Sequence, residues 1–330
     1  MGSSSANPPN RFAPGPRCLA SWSVSLRETV RWFPLGSAGG FSGARIWRGE
    51  DDGEPLFALK CWPQGADPEQ LARIHGWMNT AAHLPFVPSI LRTADGSTFA
   101  VEEGRIWDLA RWMPGTADFR ANPSAERLAN ACAALAELHR AWKPAAPTHQ
   151  PCPAISRRLR LLDEWKEHCD EFAGIREPQL RRAAAVVARL VEPAERALRA
   201  WLAHPAIVQP CLCDVWHDHV LFSGEAVSGI VDFGAMKVDH VAVDPARLLG
   251  DLVGEDDARF ARGLAAYREA GGVLDVPDAF VRLLDRTGVA CGIIVWMLRF
   301  HVEKAVFSDP RAAAQRLEQL VSRGEAMPHF

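Results

Sequence analysis

Apolar and polar positions alternate with a strand period through the first third of the chain, then change to a helical period. Residues 30–47 read VRWFPLG, SAGGFSG and ARIWRG in succession, which predicts a strand, a Gly-rich turn and a second strand. LFALKCW at 56–62 predicts another strand, and PEQLARIHGWM after it a helix with Leu71, Ile74 and Met78 on one face. Residues 98–102 and 105–113 alternate like a hairpin across Glu103 and Gly104. Beyond Pro114 and Gly115 the pattern turns helical over 124–142, with Leu128, Cys132, Leu135 and Leu138 in register. It stays helical over 155–172, 179–204, 258–270 and 277–307. One stretch interrupts the helices. Val220, Leu221 and Phe222, then residues 227–231, flank Ser223, Gly224 and Glu225 as a hairpin would.

Composition narrows the picture without changing it. With 330 residues, 48% hydrophobic and 23% charged, the chain can bury a large core in one or two domains. A net charge of −3 argues against a general nucleic-acid binder, which would carry a basic stripe. Residues 1–20 are rich in Ser, Pro and Asn and lack an apolar segment, so they read as a disordered tail and not a secretory signal. The longest apolar run, 289–300, is too short for a membrane span and is broken by Arg299. The eight cysteines are scattered and fit neither zinc nor thioredoxin spacing, as expected of reduced thiols in a cytoplasmic protein.

The chemistry concentrates at the internal hairpin. Asp214 precedes its first strand and Asp232 follows its second, so folding the hairpin brings two carboxylates towards one small volume. They repel each other there unless a cation lies between them or a proton is shared. Upstream, only five of the 37 basic residues are lysines, and one of them, Lys60, sits in a strand behind Phe57, Ala58 and Leu59. The turn before it carries Gly36, Gly39, Gly40 and Gly43, whose free N–H groups would suit phosphate oxygens.

Asp214, the hairpin and Asp232-Phe233-Gly234 together resemble the aminoglycoside phosphotransferase and choline kinase family, whose signature is HGDxxxxN, a short hairpin, then I-D-F/W-G. LFALK resembles the kinase strand that carries the phosphate-pairing lysine, and Trp112-Met113-Pro114-Gly115 resembles the family's hinge. LAELHRAW and Asp244-Pro245-Ala246-Arg247-Leu248 resemble two further helices. The likeness covers about residues 28–250.

That resemblance implies an α+β, protein kinase-like two-lobed fold: a small antiparallel-sheet N-lobe over 21–115 and a larger, mainly helical C-lobe over 116–330. It implies an ATP-dependent phosphotransferase acting on a hydroxyl of a small metabolite, the alternative being a pseudokinase-like binding protein without turnover. Asp214 would be the catalytic base. Gly39, Gly40, Ser42, Lys60, Glu69, Trp112 and Met113 would bind the nucleotide, and His219 and Asp232 a metal, Mg²⁺ or Mn²⁺. Two departures stand out: Leu212-Cys213 replaces His-Gly before Asp214, and His219 replaces Asn. Imidazole suits softer metals than Mg²⁺, and a loop shifted by one would offer Asp218 instead. Asp163, Glu164, Glu167, Asp170 and Glu171 form an acidic row that is either a solvated face or the lining of a pocket for a cationic acceptor.

Overall fold

The computed structural model describes residues 16–23, 26, 30–36, 43–146, 148–307 and 309–328. The chain separates into two compact units, one of residues 1–75 and 88–112, the other of 76–87 and 113–330. The division falls after Trp112, three residues before the boundary expected at Gly115.

The first unit is built on a five-stranded antiparallel sheet of β1 (Arg31–Gly36), β2 (Arg45–Asp51), β3 (Glu54–Cys61), β4 (Ala100–Glu102) and β5 (Arg105–Arg111), in spatial order β1-β2-β3-β5-β4. Alternation in β3 puts Phe57, Leu59 and Cys61 in the core and leaves Ala58 and Lys60 half-buried on the other face. Trp47, Leu109 and Ala100 complete that core from the neighbouring strands. Residues Pro16–Ala20 form a short helix, α1, whose Cys18 and Leu19 are buried in the same cluster. Residues 16–20, expected as part of a disordered tail, are therefore helical, and the rest of that expected tail, 1–15, lies outside the described residues. Burying one such leucine is worth about 1.5–3 kcal/mol, enough to order a short segment.

Helix α2 (Pro68–Thr80) buries Leu71, Ile74 and Met78, the face its spacing predicts, and Asp67 Oδ1 caps its start by accepting from Glu69 N at 2.8 Å. The end of α2 and the residues after it belong to the second unit. Trp77 O accepts from Trp142 Nε1 at 2.8 Å, and Phe86 O from Ile230 N at 2.8 Å.

The helices of the second unit are α3 (Ala125–Ala141), α4 (Pro153–Glu167), α5 (Cys169–Ala173), α6 (Pro178–Trp201), α7 (Val243–Val253), α8 (Asp257–Glu269), α9 (Asp278–Met297) and α10 (Pro310–Ala326). Ser124 caps α3 through Arg127 N at 2.9 Å. The expected hairpin is present as β8 (Val220–Ser223) and β9 (Ala226–Ile230), turning through Gly224 at φ +62°. Two features lie outside the elements predicted from the sequence pattern. One is a three-stranded sheet of β6 (Thr148–Pro151), β7 (Pro205–Cys211) and β10 (Lys237–His240), ordered β10-β7-β6. The other is α10, although its buried Ala313, Leu317, Val321 and Gly324 recur at a helical period behind the Asp309 cap. Strands of four residues such as β6 and β10 are held by ladder hydrogen bonds to β7, which residue alternation cannot report. No helix among the described residues is long and apolar enough to cross a membrane.

Pro114 and Gly115 are tied to the hairpin. Thr116 and Phe222 exchange backbone hydrogen bonds at 3.0 and 2.9 Å, and Ser228 Oγ donates to Pro114 O at 2.7 Å. Gly115 has φ +96°, and a Cβ there would overlap both Ser228 Oγ and the Phe222 carbonyl. Left-handed backbone costs a non-glycine residue ~1–2 kcal/mol before any overlap is counted. Gly115→Ala should thus destabilise the protein by about 2 kcal/mol or more in urea unfolding. An unchanged midpoint and slope would show that this strap does not constrain the hairpin.

Candidate active site

β7 delivers the chain into Leu212, Cys213 and Asp214, and a buried carboxylate fixes that turn. Asp244, in the first turn of α7 and wholly buried, accepts from Leu212 N at 2.7 Å through Oδ2 and from Cys213 N at 2.7 Å through Oδ1. His139 of α3 lies at 3.0 Å from the same Oδ2, and the Tyr267 hydroxyl at 2.6 Å from His139 Nδ1. Burial pushes the Tyr267 phenol well above its usual range, so it keeps its proton and donates to Nδ1. His139 Nε2–H then donates to Asp244, which fixes the tautomer. His139 O in turn accepts from Gln209 Nε2 at 2.7 Å. His139, Cys211 and Asp244 present three donor atoms within 4.8 Å, but this hydrogen-bond chain already uses the imidazole and the carboxylate. Cys213 sits at φ +64°, where the related signature has glycine. The departure seen in the sequence is thus a cysteine held in a glycine conformation by the hydrogen bonds that its own N–H and that of Leu212 donate to Asp244.

The hairpin brings both of its aspartates to one histidine. His219 Nδ1 lies 2.8 Å from the Asp214 carbonyl, and His219 Nε2 lies 3.7 Å from Asp232 Oδ2. Trp216 Nε1 donates to His219 Nε2 at 2.8 Å, which requires Nδ1 to carry the proton and donate to Asp214 O. Burial lowers the His219 pKa, outweighing the pull of Asp232 and Asp214, in keeping with a neutral ring. Val231 N donates to His219 O at 2.9 Å and closes the hairpin mouth. Asp232 follows at φ +59°, its side chain about half exposed, and Phe233 behind it is buried edge-on against Trp142. For a divalent cation the site offers the hard oxygen of Asp232 and, only if Trp216 lets go, the nitrogen of His219. Asp218 points elsewhere, 3.2 Å from His217 Nε2.

Three arginines surround this loop. Arg247 donates from Nε and Nη2 to Asp214 Oδ1, at 3.2 and 3.1 Å. Asp251, one turn along α7, has a side chain only 4% exposed and pairs with His217 Nδ1 at 2.6 Å, His217 N at 3.0 Å and Arg120 at 3.1 Å. Burial alone would raise the Asp251 carboxyl; the His217 hydrogen bond and the positive charges of Arg247 and Arg120 reverse this and hold it far below the usual range. Arg316 of α10 stacks 4.4 Å over the Trp216 ring.

In the first unit, Lys60 pairs in register with Asp108 of β5, and its Nζ lies 4.2 Å over the Trp62 ring. Trp62 Nε1 donates to Asp108 Oδ2 at 2.5 Å, and His75 Nε2 of α2 lies 3.4 Å from that oxygen. Glu69, expected beside Lys60, is exposed in the first turn of α2. Trp112 N donates to Leu56 O at 2.9 Å, with Arg48 5.9 Å over its ring. Met113, in the second unit, is buried against Gly229. Gly39, Gly40 and Ser42 lie outside the described residues. Asp108 and His75 were not anticipated. The available signal was an aspartate at a buried position among the apolar residues Ile106, Trp107, Leu109 and Ala110 of one strand.

The antiparallel sheet unit, the helical unit and the two-aspartate hairpin define a kinase-like α+β protein. Residues 36–280 match the model of the phosphotransferase enzyme family, and the chain belongs to that family. Solved structures with the same fold include a spectinomycin phosphotransferase in complex with ADP and spectinomycin: TM-score 0.67, 12% identity, 89% of this chain and 92% of that one. An amicoumacin kinase in complex with AMP-PNP, Ca²⁺ and Ami is similar at TM-score 0.61 and 13% identity, over 91% and 89%. A choline/ethanolamine kinase family protein from Mesorhizobium loti is similar at TM-score 0.59 and 17% identity, over 90% and 88%. Comparison with curated protein sequences gave no match.

Two outcomes follow from the loop. Cys213→Gly should change stability by less than about 1 kcal/mol, because relief of left-handed strain offsets added chain entropy. Cys213→Val, β-branched at the same φ, should cost more than about 2 kcal/mol. Equal urea midpoints for the two variants would show that the position is not conformationally constrained. The second concerns Asp251, whose folded pKa lies below its unfolded value. Its contribution is therefore present above the unfolded pKa of about 3.9 and lost as pH falls towards the folded one. Unfolding free energies measured from pH 7 to 3 should fall more steeply in the parent than in Asp251→Asn; parallel curves would contradict the pairing.

Proposed function

We propose that this protein is an ATP-dependent phosphotransferase acting on a hydroxyl of a small metabolite in the cytoplasm. The observation that carries this reading is His219, which touches the backbone of Asp214 and approaches the carboxylate of Asp232, so that one loop presents both. In this reading Asp214 accepts the proton of the acceptor hydroxyl. Arg247 occupies Oδ1, and Oδ2 takes no hydrogen bond from another described residue, which leaves an acceptor for that proton. Asp232 is the metal ligand, with His219 the second candidate. A bound Mg²⁺ or Mn²⁺ would supply charge compensation for the phosphates. Lys60 meets nucleotide phosphate, with Trp62, Asp108 and His75 holding its surroundings in place. Trp112 and Met113 are proposed for the base, Gly39, Gly40 and Ser42 for the phosphates, and Glu69 as a support of Lys60. The free thiols of all eight cysteines fit a reducing compartment.

The acidic row gives a cationic acceptor little support, since Asp163 pairs with Lys166 at 3.2 Å and Glu171 lies 3.5 Å from His168. A binding protein without turnover is the second reading, favoured by the arginine seated on Asp214.

Nucleotide binding can be tested without knowing the acceptor. ATP with Mg²⁺ or Mn²⁺ at a hundred times its Kd should stabilise the native state by ~2.7 kcal/mol. Lys60→Ala should remove most of the rise in melting temperature, and Asp232→Ala the metal-dependent part. Asp214→Asn should keep the shift while lowering turnover by about 10²–10⁴-fold on an acceptor found by metabolite screening. Absence of any shift in the parent at millimolar ATP would sink the nucleotide-dependent reading.

A further inference from the structure

We infer that the phosphate acceptor carries an anionic group, a carboxylate or a phosphate ester, and that Arg247 and Arg316 bind it beside Asp214. The inference rests on the phosphotransferase reading and names the substrate class of that site.

The argument is one of charge and burial. Arg120, Arg247 and Arg316 share two carboxylates, Asp214 and Asp251. Arg120 takes one oxygen of Asp251 at 3.1 Å, and His217 the other at 2.6 Å. Arg316 is left at 3.9 Å from Asp251, with one long hydrogen bond to Gln319 at 3.3 Å. Its side chain is only 12% exposed, and a guanidinium has five N–H donors to satisfy. Burial and the neighbouring Arg247 push its pKa down to about 10. Both guanidiniums lie against the same indole, Arg316 at 4.4 Å and Arg247 at 6.0 Å from the Trp216 ring. Two like charges on one ring repel, and the carboxylates that offset them are Asp214, 3.1 Å from Arg247, and Asp251, a more distant 3.9 Å from Arg316.

Catalysis sharpens the imbalance. Asp214 pairs with Arg247 only while it is a carboxylate. When Asp214 takes the hydroxyl proton it becomes neutral, and of the two carboxylates that these three guanidiniums share, Asp251 alone keeps its charge. An anionic group on the acceptor supplies the missing charge and stays on the acceptor after phosphoryl transfer. Arg247 is about one-third exposed and so can reach a ligand, whereas the less exposed Arg316 is held in place by Trp216. Planar forks of this kind bind carboxylate and phosphate through paired, charge-assisted hydrogen bonds.

The test uses the full chain with inorganic phosphate, malonate and tetramethylammonium as probes at constant ionic strength in chloride, reading melting temperature and tryptophan fluorescence. Phosphate or malonate should give a saturable response in the parent, and tetramethylammonium none. Lys60→Ala should keep that response, which separates this site from the one proposed for nucleotide phosphates. Arg316→Gln should weaken the apparent affinity about tenfold or more, and Arg316→Lys less than Arg316→Gln. Arg316→Gln should also retain the ATP-induced shift, which shows that the variant is folded. A response to phosphate alone assigns a phosphate ester, and one to malonate alone a carboxylate. A saturable tetramethylammonium response, no saturable anion response, or an anion response unchanged in both Arg316→Gln and Arg247→Gln overturns the inference. Loss of the ATP shift in the parent with the anion response intact would sink the phosphotransferase reading while leaving the anion site standing.

Discussion

The carboxylate of Asp244 is the constraint on which the rest of the candidate site depends. It lies at full burial and satisfies two consecutive backbone N–H groups, those of Leu212 and Cys213. Without it those donors would stand unpaired in the interior, at about 1–3 kcal/mol each. The same pair of bonds holds Cys213 in a left-handed conformation and so sets the direction in which Asp214 leaves the turn. His139 and Tyr267 back the carboxylate from α3 and α8, which ties the loop to two helices distant in sequence. A loop fixed in this way can present a side chain with little cost of ordering when a ligand arrives.

A second layer of order comes from Trp216. Its indole N–H fixes the His219 tautomer, and its ring carries Arg316 and Arg247 on its face. The indole therefore couples the hairpin mouth to α7 and α10. His219 closes the loop on itself through the Asp214 carbonyl, a bond made by the ring nitrogen that carries its proton. The substitution of histidine for asparagine thus keeps a hydrogen-bonding neighbour of Asp214 and Asp232 while changing what that neighbour can offer a metal.

Much of this was legible along the chain, and the reason is locality. The hairpin, its Gly224 turn, the Lys60 strand, the Leu71–Ile74–Met78 face and the helix that begins at Ser124 each depend on residues within one turn or one strand. Asp214 and Asp232 could be paired in advance because a hairpin returns its ends to one place. The unusual residues were visible too, as Cys213 and His219 standing where a related signature has glycine and asparagine.

What the sequence by itself determined was the order of the first-unit strands, the hairpin and most of the helices, the family and the identity of the two hairpin aspartates. Only the tertiary structure decided who meets them. Arg247 lies 33 residues from Asp214, and Asp108 stands 46 residues from the Trp62 that bonds it. Arg316 comes from the last helix, whose periodicity marks an apolar face but not what that face packs against. Periodicity reports which face of an element is apolar, whereas an ion pair or a stacked guanidinium depends on which face it is packed against. The positive surroundings of Asp214 are a property of that packing, assembled from α7, α10 and the segment before α3.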